Sequence, residues 1–370
     1  MSSIFPKKKL GFGLMRLPQK DGRIDIQETA AMADEFLKRG YTYFDTAYVY
    51  AGSEEAFREA VVKRVPRESF TVADKMAGWV LSGKLSAEQM FEESLTRCGV
   101  SYFDYYLLHS LTPARMRDYE KHHCWEFLRD RKADGTAKHI GFSFHGDPPL
   151  LRRILSEHPE VEFVQLQINY ADWESTAIWS GVCYDICREF GKEIVVMEPV
   201  KGGTLANLPE AAAQVLASAR PGASPASFAL RFVAGLPGVG MVLSGMSAGA
   251  QMADNLSTFD DLTPLSEEEN AAILRAKEIL LSADTIACTA CRYCTKGCPR
   301  HIDIPEIFKA DNMLRTFGEH GRPHFFYDNV RGMGSGRAGD CIACGRCEDV
   351  CPQHLPIISL LREASARLDK

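Results

Sequence analysis

Eight cysteines near the end of this 370-residue chain fall into two copies of one spacing, Cys288-x2-Cys291-x2-Cys294-x3-Cys298-Pro299 and Cys341-x2-Cys344-x2-Cys347-x3-Cys351-Pro352. That is the ligand pattern of a chain carrying two [4Fe-4S] clusters. Three thiolates two residues apart wrap three corners of one cubane, and the fourth, held off by a proline, points at the neighbouring cluster. The pattern therefore assigns Cys288, Cys291, Cys294 and Cys351 to one cluster and Cys341, Cys344, Cys347 and Cys298 to the other. A tetrahedral zinc ion would waste a ligand in each run. Cysteines this close and regular suit a metal in a reducing compartment better than they suit disulfides. The chain is expected to move electrons.

The rest of the chain alternates between two periodicities. Short β-rich runs recur at Leu10 to Leu14, Tyr43 to Asp45, Phe70 to Ala73, Tyr105 to Leu108, Ile140 to Ser143, Phe163 to Gln167, Ile194 to Met197 and Met241 to Ser244. Between most of them lie helical stretches with apolar residues at three- and four-residue intervals, for example Gln27 to Arg39, Glu54 to Arg64, Ala87 to Cys98, Cys124 to Lys132 and Ser180 to Glu189. Eightfold strand-helix alternation predicts an α/β chain closed into a (β/α)8 barrel, with its chemistry where the strands end. A polar helix follows from Ser266, with Glu267, Glu268 and Glu269 in its first turn, to about Leu281. The division expected is a barrel over 1–280 and a two-cluster domain over 281–370. Residues 299–340 separate the cysteine runs and include a helical stretch, Ile304 to Arg315, so the second domain is expected to be a small, mainly α-helical ferredoxin type. The run Gly332, Gly334, Gly336 reads as a loop, because no strand precedes it.

A net charge of -6 and 45% hydrophobic content describe an ordinary acidic protein, with no basic cluster beyond Lys7 to Lys9 to suggest nucleic acid. No apolar run approaches the length of a membrane span, and the first residues lack a signal-peptide pattern, so the expectation is a cytoplasmic protein without membrane partners.

Four polar residues sit at or just past the ends of successive strands: Asp45 and Tyr50 after the second, Lys75 after the third and His109 after the fourth. A phenol near pH 10 is a weak acid unless a cation eases its ionisation. Lys75 can be that cation and Asp45 its counter-charge, while His109 can hydrogen-bond an oxygen on which negative charge builds. Together they could polarise a carbonyl for hydride attack and deliver a proton through Tyr50.

The segments Phe44-Asp45-Thr46-Ala47-Tyr48-Val49-Tyr50, Asp74-Lys75, Leu107-Leu108-His109 and Ile140-Gly141-Phe142-Ser143 resemble the aldo-keto reductase superfamily over roughly residues 5 to 280. With its cysteine runs the whole chain is similar to the bacterial branch that carries a C-terminal 4Fe-4S dicluster domain. The resemblance implies a nicotinamide across the strand ends and reversible oxidoreduction of a small carbonyl or alcohol. For the nicotinamide it implies contacts from Ser143, from Gln165 and from Met197, where the family has an aromatic ring; Phe144 replaces the family's Asn. On the adenine side it implies Asp254 and Asn255. Gly202 and Gly245 offer close backbone approach.

The cations that hold a 2'-phosphate are missing around Ser244 to Gln251, which leaves NAD, NADP or neither open and NADP phosphate contacts doubtful. A hydride carries two electrons while each cluster passes one, so a flavin stays open too. An external ferredoxin or similar carrier is an expected partner. The competing reading is a non-catalytic redox-sensing or electron-transfer subunit with a vestigial cleft. Cys183 and Cys187, four apart on a helix with apolar neighbours, read as core.

Overall fold

The structure is a computed structural model that describes residues 3–113, 115–176, 178–282, 285–286, 288, 292–351 and 355–369. Of the expected cluster ligands, Cys291 lies outside these residues.

Eight parallel strands close into a barrel: β1 (Leu10–Gly13), β2 (Tyr43–Asp45), β3 (Thr71–Met76), β4 (Phe103–Leu111), β5 (Ala137–Phe144), β6 (Phe163–Gln167), β7 (Glu193–Met197) and β8 (Val239–Ser244). Each pairs with its sequence neighbour, and β1 pairs with both β2 and β8. All eight runs expected from the sequence are strands. They are legible because a parallel sheet covered on both faces needs near-continuous apolar runs, and β8 is buried along its whole length.

Alternation along the strands gives the barrel two cores. Tyr43, Ala73, Tyr105, Leu107, Phe163, Val195, Met241 and Leu243 fill the inside, and Phe5 closes one end by stacking on Tyr105 at 4.9 Å. A larger cluster, including Phe12, Phe44, Met90, Leu128, Ile154 and Leu256, lies between the sheet and the surrounding helices. Interior columns continue two residues further on five of the strands, from Tyr43 to Asp45, Ala73 to Lys75, Leu107 to His109, Phe163 to Gln165 and Val195 to Met197. That periodicity of two puts the polar residues inside the barrel at the strands' C-terminal ends.

Two compact units emerge: residues 1–200 with 226–265, and residues 201–225 with 266–370. The second unit therefore takes in the helices Glu210–Ala219 and Glu267–Leu281, which pack on each other. Ser266 caps the latter as a capping box, its hydroxyl accepting from the Glu269 N–H at 3.1 Å while Glu269 accepts from the Ser266 N–H at 2.8 Å. The rest of the described unit is mainly helical: Ile304–Phe317, Pro323–Gly332 and Ile357–Leu368 surround a core of Ile304, Ile307, Phe308, Tyr327, Ile357 and Leu361 that includes Cys294 and Cys347. Gly332 ends a helix rather than lying in the loop expected for it, and the loop begins at Met333. Asp311, fully buried, is held by Arg315 at 2.8 Å and Arg367 at 2.7 Å.

Candidate functional site

The barrel mouth brings the four expected residues together. Lys75, with 0% of its surface exposed, donates to Asp45 Oδ1 at 2.5 Å and to the Thr46 carbonyl at 2.6 Å. Its Nζ stands 5.1 Å from the centroid of the Tyr50 ring. That ring meets His109 edge-on at 5.6 Å. Tyr50 belongs to the loop after β2, which is tied to β3 by the Thr46 and Tyr48 N–H groups donating to the carbonyls of Ala73 and Lys75. The loop closes through Gly52, whose φ of 72° starts the helix Ser53–Phe57 and would strain any other residue.

Burial raises the Asp45 carboxyl above its usual range, and Lys75 draws it back. Burial also opposes the Lys75 charge, but Asp45 and Tyr50 outweigh it and the ammonium titrates above its ordinary value. For Tyr50 the balance differs from the sequence expectation. Loss of hydration pushes the phenol above 10, and Lys75 offsets only part of that. His109 is held well below 6.5, first by burial and then by the positive field of Lys75, so its ring is neutral at pH 7.

Three residues near His109 carried no sequence signal. Trp79 packs against its ring at 5.5 Å, and the Arg115 guanidinium covers Trp79 at 3.8 Å. Tyr119 donates to the His109 carbonyl and to that of Met76 at 3.3 Å, joining β3 to β4. Arg115 also donates to Ser110 Oγ at 2.6 Å, and Ser110 has a φ of 55°. His145 follows β5, is exposed, and its N–H donates to the Leu111 carbonyl.

Of the expected nucleotide contacts, Ser143 and Gln165 lie side by side in register on β5 and β6. Ser143 Oγ accepts from the Ser110 N–H at 2.6 Å. Gln165 donates to Met197 Sδ at 3.6 Å, while its Oε1 is buried with no hydrogen-bond partner among the described residues, as is Nδ1 of His109. Two orphaned polar atoms in one mouth mark a place for a polar ligand. Asn255 donates to Ser244 Oγ at 2.7 Å, so its Nδ2 is engaged in tying the helix Gly249–Asp260 to β8. Asp254 lies beside it in the helix Gly249–Asp260. A Cβ added at Gly245 would meet nothing nearer than 3.8 Å. Gly202 has a φ of 65° and belongs to the second unit.

Cys298, Cys341, Cys344 and Cys347 line one cavity with Ile302, Ile342 and Leu361. The cavity unites the last cysteine of the first run with the first three of the second. Of the other set, Cys294 is buried and Cys288 and Cys351 pack against the same core.

The aldo/keto reductase family matches residues 9–278. The chain belongs to that family. The 4Fe-4S dicluster domain matches residues 287–355 of this reductase. An aldo-keto reductase of Mycolicibacterium paratuberculosis is 27% identical to it over 258 residues, 69% of this chain and 81% of the relative. A solved aldo-keto reductase from Bacillus halodurans, in a holo form, superposes with a TM-score of 0.57 at 25% identity, covering 72% of this chain and 91% of that one. One from Klebsiella pneumoniae in complex with NADPH shares the fold, with a TM-score of 0.58 at 23% identity over 72% of this chain and 90% of that one. This aldo/keto reductase is thus an oxidoreductase with a 4Fe-4S dicluster domain. Among the described residues no helix is long and apolar enough to cross a membrane.

Proposed function

We propose that the barrel, over residues 1–280, reduces a small carbonyl or oxidises the matching alcohol with Tyr50 as proton donor, and that residues 281–370 hold two [4Fe-4S] clusters as the electron relay. The observation that carries the catalytic half is the 2.5 Å pairing of Lys75 with Asp45 directly beside the Tyr50 ring. Paired in this way, the ammonium keeps its charge in a dry interior and lends a positive field to the phenol.

The steps made by the chain's own groups follow from that geometry. Neutral His109 donates a hydrogen bond to the substrate oxygen as charge grows there. Tyr50 gives up its proton to that oxygen, and the phenolate left behind is stabilised by Lys75. Trp79 and Arg115 brace the imidazole from behind.

The free Gln165 Oε1 suits a carboxamide donor, so a nicotinamide fits the mouth, where it would supply the hydride. Glu28 Oε1 accepts from the Gly249 N–H at 3.2 Å, which places a carboxylate at the start of the helix Gly249–Asp260. An anion there opposes a 2'-phosphate, so the reading is NAD ahead of NADP, with a flavin as the competing occupant. The four-cysteine cavity fits an iron-sulfur cubane, with Cys288, Cys291, Cys294 and Cys351 holding its neighbour; clusters supply one-electron storage for a ferredoxin-like carrier in the cytoplasm.

The test is anaerobic: cluster-loaded protein is mixed with NADH or NADPH, with and without 4-nitrobenzaldehyde. Aldehyde-dependent oxidation of the nucleotide, faster with NADH, is expected. Silence toward both nucleotides, with a flavin co-purifying, would replace the nicotinamide in this reading.

A further inference from the structure

A second group of ionisable side chains lies behind the strand that carries Lys75. Asp74 alternates with Lys75 and so points out of the barrel toward the helices, yet it is fully buried. Two other side chains meet it there: Glu54, four residues after Tyr50 and 1% exposed, and Cys98, at the end of the helix Ala87–Cys98. One oxygen or sulfur atom from each of the three lies within 4.8 Å of the others.

The hydrogen bonds around this group leave one conspicuous gap. Asp74 Oδ1 accepts from the Lys75 N–H at 2.7 Å, and its Oδ2 is 4.0 Å from the Cys98 thiol. Glu54 Oε2 accepts from Arg97 at 3.1 Å. Glu54 Oε1 is buried and has no donor among the described residues. Two adjoining carboxylates in a dry interior repel each other when both are ionised.

We propose that Asp74 and Glu54 share one proton, Asp74 being a neutral acid that donates to the free oxygen of Glu54, and that this bond positions the Tyr50 loop against the Lys75 strand. Burial, and after it Glu54, hold the Asp74 carboxyl well above the carboxylate range, in keeping with the proton residing there. Arg97 is shared by Glu54, Glu93 and Glu55, and the Cys98 thiol is kept protonated by burial.

The bond has a purpose at the site. Glu54 sits on the helix that continues the Tyr50 loop, and Asp74 is the residue before Lys75, so the shared proton links the phenol's segment to the ammonium's. A neutral Asp74 also leaves the Lys75 field to Asp45 and Tyr50; an ionised one would draw on it from the opposite face of the sheet. A divalent cation held by the three ligands is the competing reading. A thiol held in its protonated form and a carboxylate already engaged by Arg97 make a poor donor set for it.

The consequence for Tyr50 rests on the catalytic reading above, whereas the shared proton does not. Infrared difference spectra of the full chain, wild type minus Asp74→Asn, should therefore show the carbonyl band of a protonated carboxylic acid, shifted in D2O. A missing band overturns the proposal whatever the activity. Asp74→Asn keeps a donor for Glu54 and an acceptor for the Lys75 N–H, so its kcat on 4-nitrobenzaldehyde should stay within about threefold of wild type. Asp74→Ala should lose about tenfold or more in kcat, with nucleotide KM unchanged. An Asn variant as impaired as the Ala variant, or a stoichiometric divalent metal lost on Asp74→Asn, would overturn the assignment. A wild-type chain inert toward the aldehyde counts against the catalytic reading alone, and the infrared band then decides this one.

Discussion

Lys75 directs its hydrogen bonds to Asp45 Oδ1 and the Thr46 carbonyl, while the face of its charge lies 5.1 Å from the Tyr50 ring. The ammonium is thus satisfied by one partner and available, as a field, to another. Replacing Tyr50 by Phe removes the acidic proton and leaves that pair untouched. Tyr50→Phe should lower kcat for carbonyl reduction by about 100-fold or more while the iron content and the melting temperature are retained. Steady-state rates on anaerobic, cluster-loaded protein check it, and a variant with undiminished kcat would remove Tyr50 from the mechanism.

Breaking the buried pair from one side is a different experiment. Lys75→Met strands the Asp45 carboxylate inside the barrel, at a cost of about 3–5 kcal/mol. The double variant Asp45→Leu/Lys75→Met should regain most of that stability while staying inactive. Urea midpoints of the three proteins, compared under one set of conditions, test this.

The pH profile follows from two opposite shifts. His109 has its pKa lowered by burial, so it stays neutral as pH falls through 6.5, and Tyr50 has its pKa raised by burial, so it keeps its proton as pH rises through 10. The kcat profile should therefore be flat across 6.5, and the Tyr50 limb should appear only above 10. An acid limb centred at 6.5 that disappears in His109→Gln would show that the imidazole titrates normally.

Cluster connectivity can be read from pairs of substitutions. Cys298→Ser combined with Cys344→Ser touches two ligands of one cavity and should leave the other cluster whole, at about half the wild-type iron. Cys298→Ser with Cys294→Ser should damage both. Electron paramagnetic resonance of the reduced proteins distinguishes one intact cluster from none, and the reverse pattern, with the first pair damaging both clusters and the second sparing one, would rule out the crossing of Cys298.

The barrel was legible in the sequence because its signals are local. Strands buried on both faces must be largely apolar, the capping box at Ser266 spans four residues, and each member of the tetrad lies at or just past a strand end. What escaped depends on distant segments meeting. Trp79, Arg115 and Tyr119 gain their roles only when folding sets them around His109. Glu54 and Asp74 look like ordinary surface acids until the helix after Tyr50 lays one on the other. The helix Pro323–Gly332 was hidden by the glycines that follow it, and the partial cancellation of the Lys75 field on Tyr50 depends on burial that no motif records.

The cavity that gathers Cys298 with Cys341, Cys344 and Cys347 makes the duplicated half-motifs interdependent. On the proposed ligand sets, a polypeptide stopped after Gly336 would hold four of the eight motif cysteines and could finish neither cage. On that reading, iron loading of this region would wait until Cys351 has been made, and the two cysteine runs would not work as separate halves.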